Sequence, residues 1–121
     1  AAGKSGLGAL EATDDRNILG LGVDADQCYL HPTIKASMTK RVDVALFEMI
    51  KAAVEKKFQG GVKNGGLAEH WVGSCRLPEE QAFWETKFGF THPTLEATVI
   101  DKMDEARDKI ISGDIDVPSE F

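Results

Sequence analysis

Apolar residues recur at helical spacing in two long stretches of the chain and run without interruption in one short stretch. Residues 37–57 and 94–112 carry apolar side chains three or four positions apart, which predicts two amphipathic helices with buried stripes. The first stripe consists of Val42, Leu46, Met49, Ile50, Ala53 and Val54. The second consists of Leu95, Val99, Met103, Ala106 and Ile110. Residues 18–23, ILGLGV, are apolar throughout and predict a strand buried on both faces of a parallel sheet.

The remaining pattern is weaker and completes an α/β order of elements. Residues 8–13 are good helix formers, and Pro78 followed by two glutamates predicts the start of another helix. Weak strands are predicted near Val62 and at 115–117, and residues 27–32 are predicted to form a loop. The helix after Pro78 would carry core or interface aromatics at Phe83, Trp84 and Phe88. One clear strand is few for this number of helices, so we expect part of the sheet to lie outside this chain.

The composition is that of an ordinary globular domain. The chain has 121 residues, of which 42% are hydrophobic and 28% charged. Its formal net charge of −6 argues against a nucleic acid or an anionic membrane surface as a partner, because both bind basic faces. No apolar run approaches the ~18–20 residues of a membrane span, and no signal-peptide pattern is present. Two cysteines do not make a disulfide scaffold and leave the redox compartment open.

The opening residues AAGKSGLG contain the last part of a phosphate-binding P-loop, at Gly3, Lys4 and Ser5. The P-loop motif G-x-x-x-x-G-K-[ST] requires an earlier glycine and a preceding strand, and neither is found among residues 1–121. The alternative is a glycine-rich turn that leads into a helix.

Cysteine and histidine occur as two pairs, Cys28 with His31 and His70 with Cys75, which are zinc-type ligands. A long amphipathic helix separates the pairs, whereas compact zinc modules keep them closer together. Free cysteine usually packs as a small hydrophobic residue, and no orienting partner for a nucleophilic cysteine is apparent. We therefore predict no metal, no cofactor and no catalytic residue.

Polar residues follow the apolar strand directly, at Asp24, Asp26 and Gln27. In open parallel sheets, ligands bind beyond the carboxyl ends of the strands, where a carboxylate can accept hydrogen bonds from adjacent hydroxyls such as a ribose diol. An aspartate that only caps the next turn would give the same pattern. Lys40 is predicted near the start of the long helix and out of phase with its stripe, so it contacts either solvent or ligand.

Three stretches resemble one family. The run GVDADQCYLHPTIKASMTKRVDVA, residues 22–45, is similar to a strand ending in G-V-D-x-D-Q followed by T-S-M-x-K-R-V-D-V-A. The opening AGKSGLG resembles the turn A-G-G-T-G-x-G, which favours the glycine-rich turn over a P-loop. The ending KIISGDIDVP resembles K-I-I-S-G-x-I-x-V-P, whereas residues 68–93 depart from the family pattern. The family is the basic membrane protein (BMP) type of ABC-transporter substrate-binding lipoproteins, whose best-understood members are purine nucleoside receptors.

The resemblance implies the fold of type I periplasmic binding proteins, in which two α/β lobes close on a ligand. Residues 1–121 correspond to a C-terminal lobe segment, a parallel sheet flanked by helices that is incomplete without the N-terminal lobe. Asp24 corresponds to the carboxylate that binds ribose hydroxyls, and Lys40 to the lysine that reaches the sugar. The remaining residues that the resemblance implies for the ligand cleft are Asp26, Gln27, Gly3 and Ser5.

The implied function is binding without catalysis. An extracytoplasmic protein, lipid-anchored at the cell membrane or periplasmic, would bind a nucleoside, most simply a purine nucleoside, and pass it to an ABC permease. The implied partners are thus a small molecule, the permease and the N-terminal lobe. Alternatives on the same scaffold are another small ligand, such as riboflavin, a simple sugar or a signalling molecule, or a ligand-sensing regulator.

Overall fold

The computed structural model describes residues 5–118 and shows a mixed α/β fold. The elements, in chain order, are α1 Ser5–Asp15, β1 Gly20–Gly22, β2 Ile34–Lys40, α2 Val42–Val54, β3 Val72–Ser74, α3 Pro78–Phe88 and α4 Ala97–Ser112. The three strands form one sheet in the order β1-β2-β3. β1 and β2 are parallel, with Gly22 opposite Ser37, and the sheet as a whole is mixed. The predicted α/β class is confirmed.

The described residues form two compact units. The first contains residues 5–40 and 73–96, and the second contains residues 41–72 and 97–118. The first unit holds α1, β1, β2, α3 and most of β3. Its core is a small cluster packed against Leu30 and Phe90, and its buried members are Leu10, Cys28, Ile34 and Cys75.

β2 corrects the predicted boundary of the long helix. The helix was expected to begin near residue 37, but Ile34–Lys40 is a strand and α2 starts at Val42. Ala36, Met38 and Lys40 have good helix propensity, yet the backbone of β2 bonds to neighbouring strands on both sides. Lys40 is therefore the last residue of a strand and not part of a helix.

β1 is shorter and less buried than predicted. The strand covers only Gly20–Gly22, and the side chain of Leu21 is 76% exposed while the flanking glycines are buried. The expectation of a strand buried on both faces is thus wrong for the described residues. Gly22 allows β1 to approach β2 closely, because a Cβ at this position would lie 2.2 Å from Ser37 Oγ on the neighbouring strand.

The stripes predicted for the two long helices are not buried. Neither α2 nor α4 contains a buried residue in the described chain. Five large apolar side chains of α2 are more than half exposed, namely Val42, Leu46, Phe47, Ile50 and Val54. The amphipathic pattern predicted the helices correctly and their burial wrongly.

The remaining predictions divide between helices and strands. Pro78 begins α3, and Gly89 ends it in the left-handed conformation at φ 63°. β3 was not predicted, and in the described chain neither Val62 nor residues 115–117 lie in a strand. Within residues 5–118, no helix is both long and apolar enough to cross a bilayer.

Candidate functional site

Asp24 and Lys40 lie at the same edge of the sheet. β1 and β2 are parallel, so their carboxyl ends point the same way; Asp24 follows β1 after one residue and Lys40 ends β2. The Lys40 N–H donates a hydrogen bond to the Asp24 carbonyl oxygen, with 2.9 Å between N and O. The two positions are thus fixed relative to each other through the backbone, and both side chains are exposed.

The turn that presents Asp24 is held by its own neighbours. Gln27 Oε1 accepts a hydrogen bond from the Val23 N–H at 3.0 Å. Ser37 Oγ donates to the Ala25 carbonyl oxygen at 2.6 Å and accepts from the Gln27 N–H at 3.3 Å. Asp24 has φ 71°, a left-handed conformation that aspartate tolerates better than most residues. These bonds hold the Asp24 carboxylate on a defined turn at the carboxyl edge.

A cavity of about 220 Å³ lies beside this turn. One wall comes from α1 and the other from the end of β1 and the turn after it. The lining residues are Gly6, Ala9, Leu10, Leu21, Val23, Asp24, Ala25 and Gln27. The cavity therefore combines mainly apolar walls with one carboxylate, which can accept hydrogen bonds from the hydroxyls of a small polar ligand.

The other residues predicted for the cleft are placed differently. Ser5 is the exposed first residue of α1, next to Gly6 of the cavity wall, and Gly3 lies outside the described residues. Asp26 is buried and its carboxylate contacts other groups, so it does not line the cavity. Asp24 and Gln27 are the predicted residues that the structure brings to the cavity itself.

Asp26 belongs to a second cluster, with Cys28, Cys75 and His92. Its Oδ2 lies 2.6 Å from His92 Nε2, and its Oδ1 accepts a hydrogen bond from the Cys28 N–H at 2.9 Å. The two sulfurs are 3.1 Å apart, and all four residues are buried. The candidate ligand atoms of the four residues lie within 4.8 Å of one another.

The cluster contains the cysteine of each Cys–His pair seen in the sequence and the histidine of neither. His31 Nδ1 instead lies 3.1 Å from Asp14 Oδ2, and His70 belongs to the other unit of the chain. His92 takes a place in the cluster that sequence reasoning did not assign. His92 follows α3 and lies within residues 68–93, where the sequence departs from the family pattern. Its place in the cluster depends on a contact with Asp26, 66 residues away in sequence.

The two thiols have opposite electrostatic environments. The pKa of Cys75 is lowered because the Cys28 thiol donates to its sulfur, and the Ser37 N–H also donates to it at 3.1 Å. The pKa of Cys28 is raised because its proton is held in the hydrogen bond to Cys75, and burial acts in the same direction. Of the two thiols, Cys75 is therefore the one that loses its proton more easily.

The chain is similar in sequence to archaeal lipoproteins and similar in structure to a solute-binding protein. It is 36% identical over 91 residues to uncharacterized lipoproteins of Pyrococcus abyssi and Pyrococcus horikoshii, an alignment that covers 69% of the chain and 22% of each relative. An uncharacterized lipoprotein of Pyrococcus furiosus is 35% identical over the same length. The chain thus spans less than a quarter of the length of these relatives. No protein-family model matches it.

A solved structure resembles nearly the whole chain. The crystal structure of ABC transporter system solute-binding proteins from Aeropyrum pernix K1 superposes with a TM-score of 0.64 and 29% sequence identity. The match covers 94% of this chain and 37% of that one. The fold is accordingly that of part of a solute-binding protein.

Proposed function

We propose that the chain is a C-terminal lobe segment of an extracytoplasmic substrate-binding component of an ABC transporter, and that the protein binds a nucleoside, of purine type, between two lobes. The observation that carries this proposal is the placement of Asp24 on a braced turn, in a cavity at the carboxyl edge of two parallel strands. Lys40 ends the neighbouring strand at the same edge. A carboxylate and an ammonium group together suit a ligand rich in hydroxyl groups.

The size of the cavity supports a second lobe. Pockets for drug-sized ligands measure roughly 300–1,000 Å³ and bury most of the ligand surface. The cavity of about 220 Å³ is smaller and is lined by one unit of this chain. A nucleoside would therefore need further walls, which the proposal assigns to an N-terminal lobe.

The exposed stripe of α2 also supports a larger protein. Contiguous apolar surface on a folded protein commonly marks an interface. The exposed apolar residues of α2 fit a helix that packs against residues beyond those described. The partial coverage of both the archaeal lipoproteins and the Aeropyrum structure agrees with this proposal.

The proposed mechanism is capture and release, without bond making. A ligand that contacts both lobes favours the closed state by its differential affinity for the closed and open states. The closed protein then delivers the ligand to a membrane permease. The lipoprotein relatives support a lipid-anchored, extracytoplasmic location for this step.

The test begins with the protein at its natural full length. Ligand released by denaturation is identified by mass spectrometry, and calorimetry then compares purine ribonucleosides with riboflavin and ribose. The proposal expects a purine ribonucleoside to bind with micromolar or lower Kd, about −8 kcal/mol or better. Binding of riboflavin or ribose without binding of nucleosides would assign the scaffold to another ligand.

A further inference from the structure

Four side chains of metal-ligating types meet inside the first unit, and none of them is among the residues that line the cavity at Asp24. They come from three separate segments: the turn after β1 supplies Asp26 and Cys28, the residue after β3 is Cys75, and the segment after α3 supplies His92. Their relative exposures are 5%, 1%, 0% and 8% in the same order. Each offers a ligand atom, and these atoms lie within 4.8 Å of one another.

The donor set matches the chemistry of zinc. Zn²⁺ is bound by thiolate, imidazole and carboxylate groups, and its structural sites are four-coordinate with all positions filled by protein. Bonds of about 2.0–2.3 Å place tetrahedral donors roughly 3.3–3.8 Å apart. The sulfur pair at 3.1 Å and the Asp26–His92 pair at 2.6 Å need to open slightly to reach that spacing.

Neighbouring groups already orient these ligands. Asp26 Oδ1 is occupied by the Cys28 N–H, which leaves Oδ2, the oxygen facing His92, for a metal. The Ser37 N–H donates to Cys75 Sγ at 3.1 Å, a bond that stabilises a thiolate. Such outer bonds fix the direction of metal ligands and tune their basicity.

The charge balance of the cluster also favours a cation. A buried carboxylate is costly unless it is paired, and the partners of Asp26 in the cluster are the His92 ring at 2.6 Å and the Cys28 N–H at 2.9 Å. A dication would offset two of the three negative charges carried by the carboxylate and the two thiolates. A disulfide would engage the two sulfurs alone, whereas one metal ion would also engage the Asp26–His92 pair.

We propose that Asp26, Cys28, Cys75 and His92 bind one Zn²⁺ ion in a closed structural site. On binding, the two thiols lose their protons to solvent and become thiolate ligands, Asp26 binds through Oδ2, and His92 binds through the Nε2 lone pair with its proton on Nδ1. No electron is transferred. The ion joins the turn after β1 to the segments after β3 and α3, and so braces the turn that carries Asp24.

The experiment measures metal in the protein at its natural full length. Protein produced with zinc in the medium and purified without chelators is analysed by native mass spectrometry and by elemental analysis. The expected result is one zinc ion per chain. Acid denaturation should release the ion and lower the measured mass of the protein by the mass of zinc. Cobalt substituted for zinc should give intense visible bands with a thiolate-to-cobalt charge-transfer absorption, a readout that needs no variant.

Variants locate the site within the chain. Cys75→Ser and His92→Ala each remove one ligand and should weaken zinc binding by more than about 100-fold, the upper range for loss of an outer-shell partner alone. His31→Ala and His70→Ala are matched controls outside the cluster and should retain the ion. Loss of zinc from the controls but not from His92→Ala would contradict the site.

Two results with the wild-type protein would overturn the proposal outright. One is a protein that contains no zinc and takes up neither zinc nor cobalt at micromolar concentration, while both thiols react once the chain is denatured. The other is an intact mass lower by two hydrogens that reduction restores, which would show that the sulfurs form a disulfide. Zinc content and the cobalt spectrum are measured on the wild-type protein. They test the proposal even if a variant fails to fold.

Discussion

The backbone N–H of Lys40 donates a hydrogen bond to the carbonyl oxygen of Asp24, with 2.9 Å between the two atoms. This bond joins the residue that ends β2 to the turn that follows β1. The bond involves only backbone atoms, so it fixes the spacing of the two residues and uses neither side chain. Both residues are exposed. Side-chain substitutions at either position therefore test ligand binding without removing the bond that sets their spacing.

Asp24→Asn should weaken nucleoside binding. Asparagine tolerates the left-handed conformation of residue 24 and keeps the shape of the side chain, so the variant removes the charge with little strain. Loss of hydrogen bonds to a charged group costs about 1.5–3 kcal/mol, which is roughly ten- to more than a hundredfold in Kd. Calorimetry on the protein at its natural full length measures the change.

A modified ligand and a control variant complete this test. A 2′,3′-dideoxynucleoside should lose a similar amount against the wild type and less against Asp24→Asn, whose amide oxygen still accepts one hydrogen bond, because the two changes affect the same interaction. Asp101→Asn removes an exposed carboxylate on α4 and should leave Kd unchanged. If folded Asp24→Asn protein binds the ribonucleoside as tightly as wild type, the site is assigned wrongly.

Lys40→Met should also weaken binding. Methionine keeps much of the aliphatic stem and the backbone N–H bonded to Asp24, while it removes the ammonium group proposed to reach the sugar. An effect of about 1.5–3 kcal/mol is expected for hydrogen bonds from a charged donor. Lys51→Met, on exposed α2, is the matched control. Equal Kd values for both variants would exclude Lys40 from the site.

Gly22→Ala should destabilise the fold, because the new Cβ has no space. It would lie 2.2 Å from Ser37 Oγ and 2.9 Å from Gln27 Cβ. Ser37 Oγ can move only by giving up its bonds to Ala25 and Gln27, which hold the ligand turn. Overpacking of this kind costs about 1–3 kcal/mol in the free energy of unfolding.

Gly8→Ala is the contrasting control, and denaturant titration measures the free energy of unfolding of both alanine variants. Gly8 lies within α1, and a Cβ there meets nothing within 4 Å. Alanine in a helix interior is favoured over glycine by roughly 0.5–1 kcal/mol, so this variant should be more stable than wild type. The prediction fails if the two alanine variants change stability in the same direction.

Arg76→Met should destabilise the first unit of the chain. Arg76 is buried, and its guanidinium donates to the carbonyl oxygens of Lys35 and Pro93. Methionine preserves buried volume but leaves both carbonyl groups without this donor, a loss of about 1.5–3 kcal/mol for bonds from a charged group. Arg16→Met, on the exposed turn after α1, should change the free energy of unfolding by less than about 0.5 kcal/mol.

Local signals predicted the helices well, because their determinants lie within one stretch of sequence. Pro78 and the two glutamates after it marked the start of α3, which begins at Pro78. The Asp24 turn was also predicted, because polar residues directly follow an apolar run. These features require no knowledge of distant contacts.

The strands β2 and β3 and the buried cluster were missed because distant residues define them. β2 contains helix-forming residues, and its strand conformation depends on pairing with β1 and β3. Cys75 meets Cys28 across a sequence separation of 47, and His92 meets Asp26 across a separation of 66. No period or motif in one sequence encodes such a meeting.

The chain of 121 residues produced alone should associate and should not bind nucleosides tightly. The exposed apolar residues of α2 would remain uncovered, and the proposed second half of the cleft would be missing. Light scattering should give a mass above the 13.2 kDa of one chain. Leu46→Gln combined with Ile50→Gln should reduce association, whereas Leu19→Gln, at an exposed apolar residue outside α2, should not. Micromolar nucleoside binding by a monodisperse single chain would exclude the two-lobe proposal.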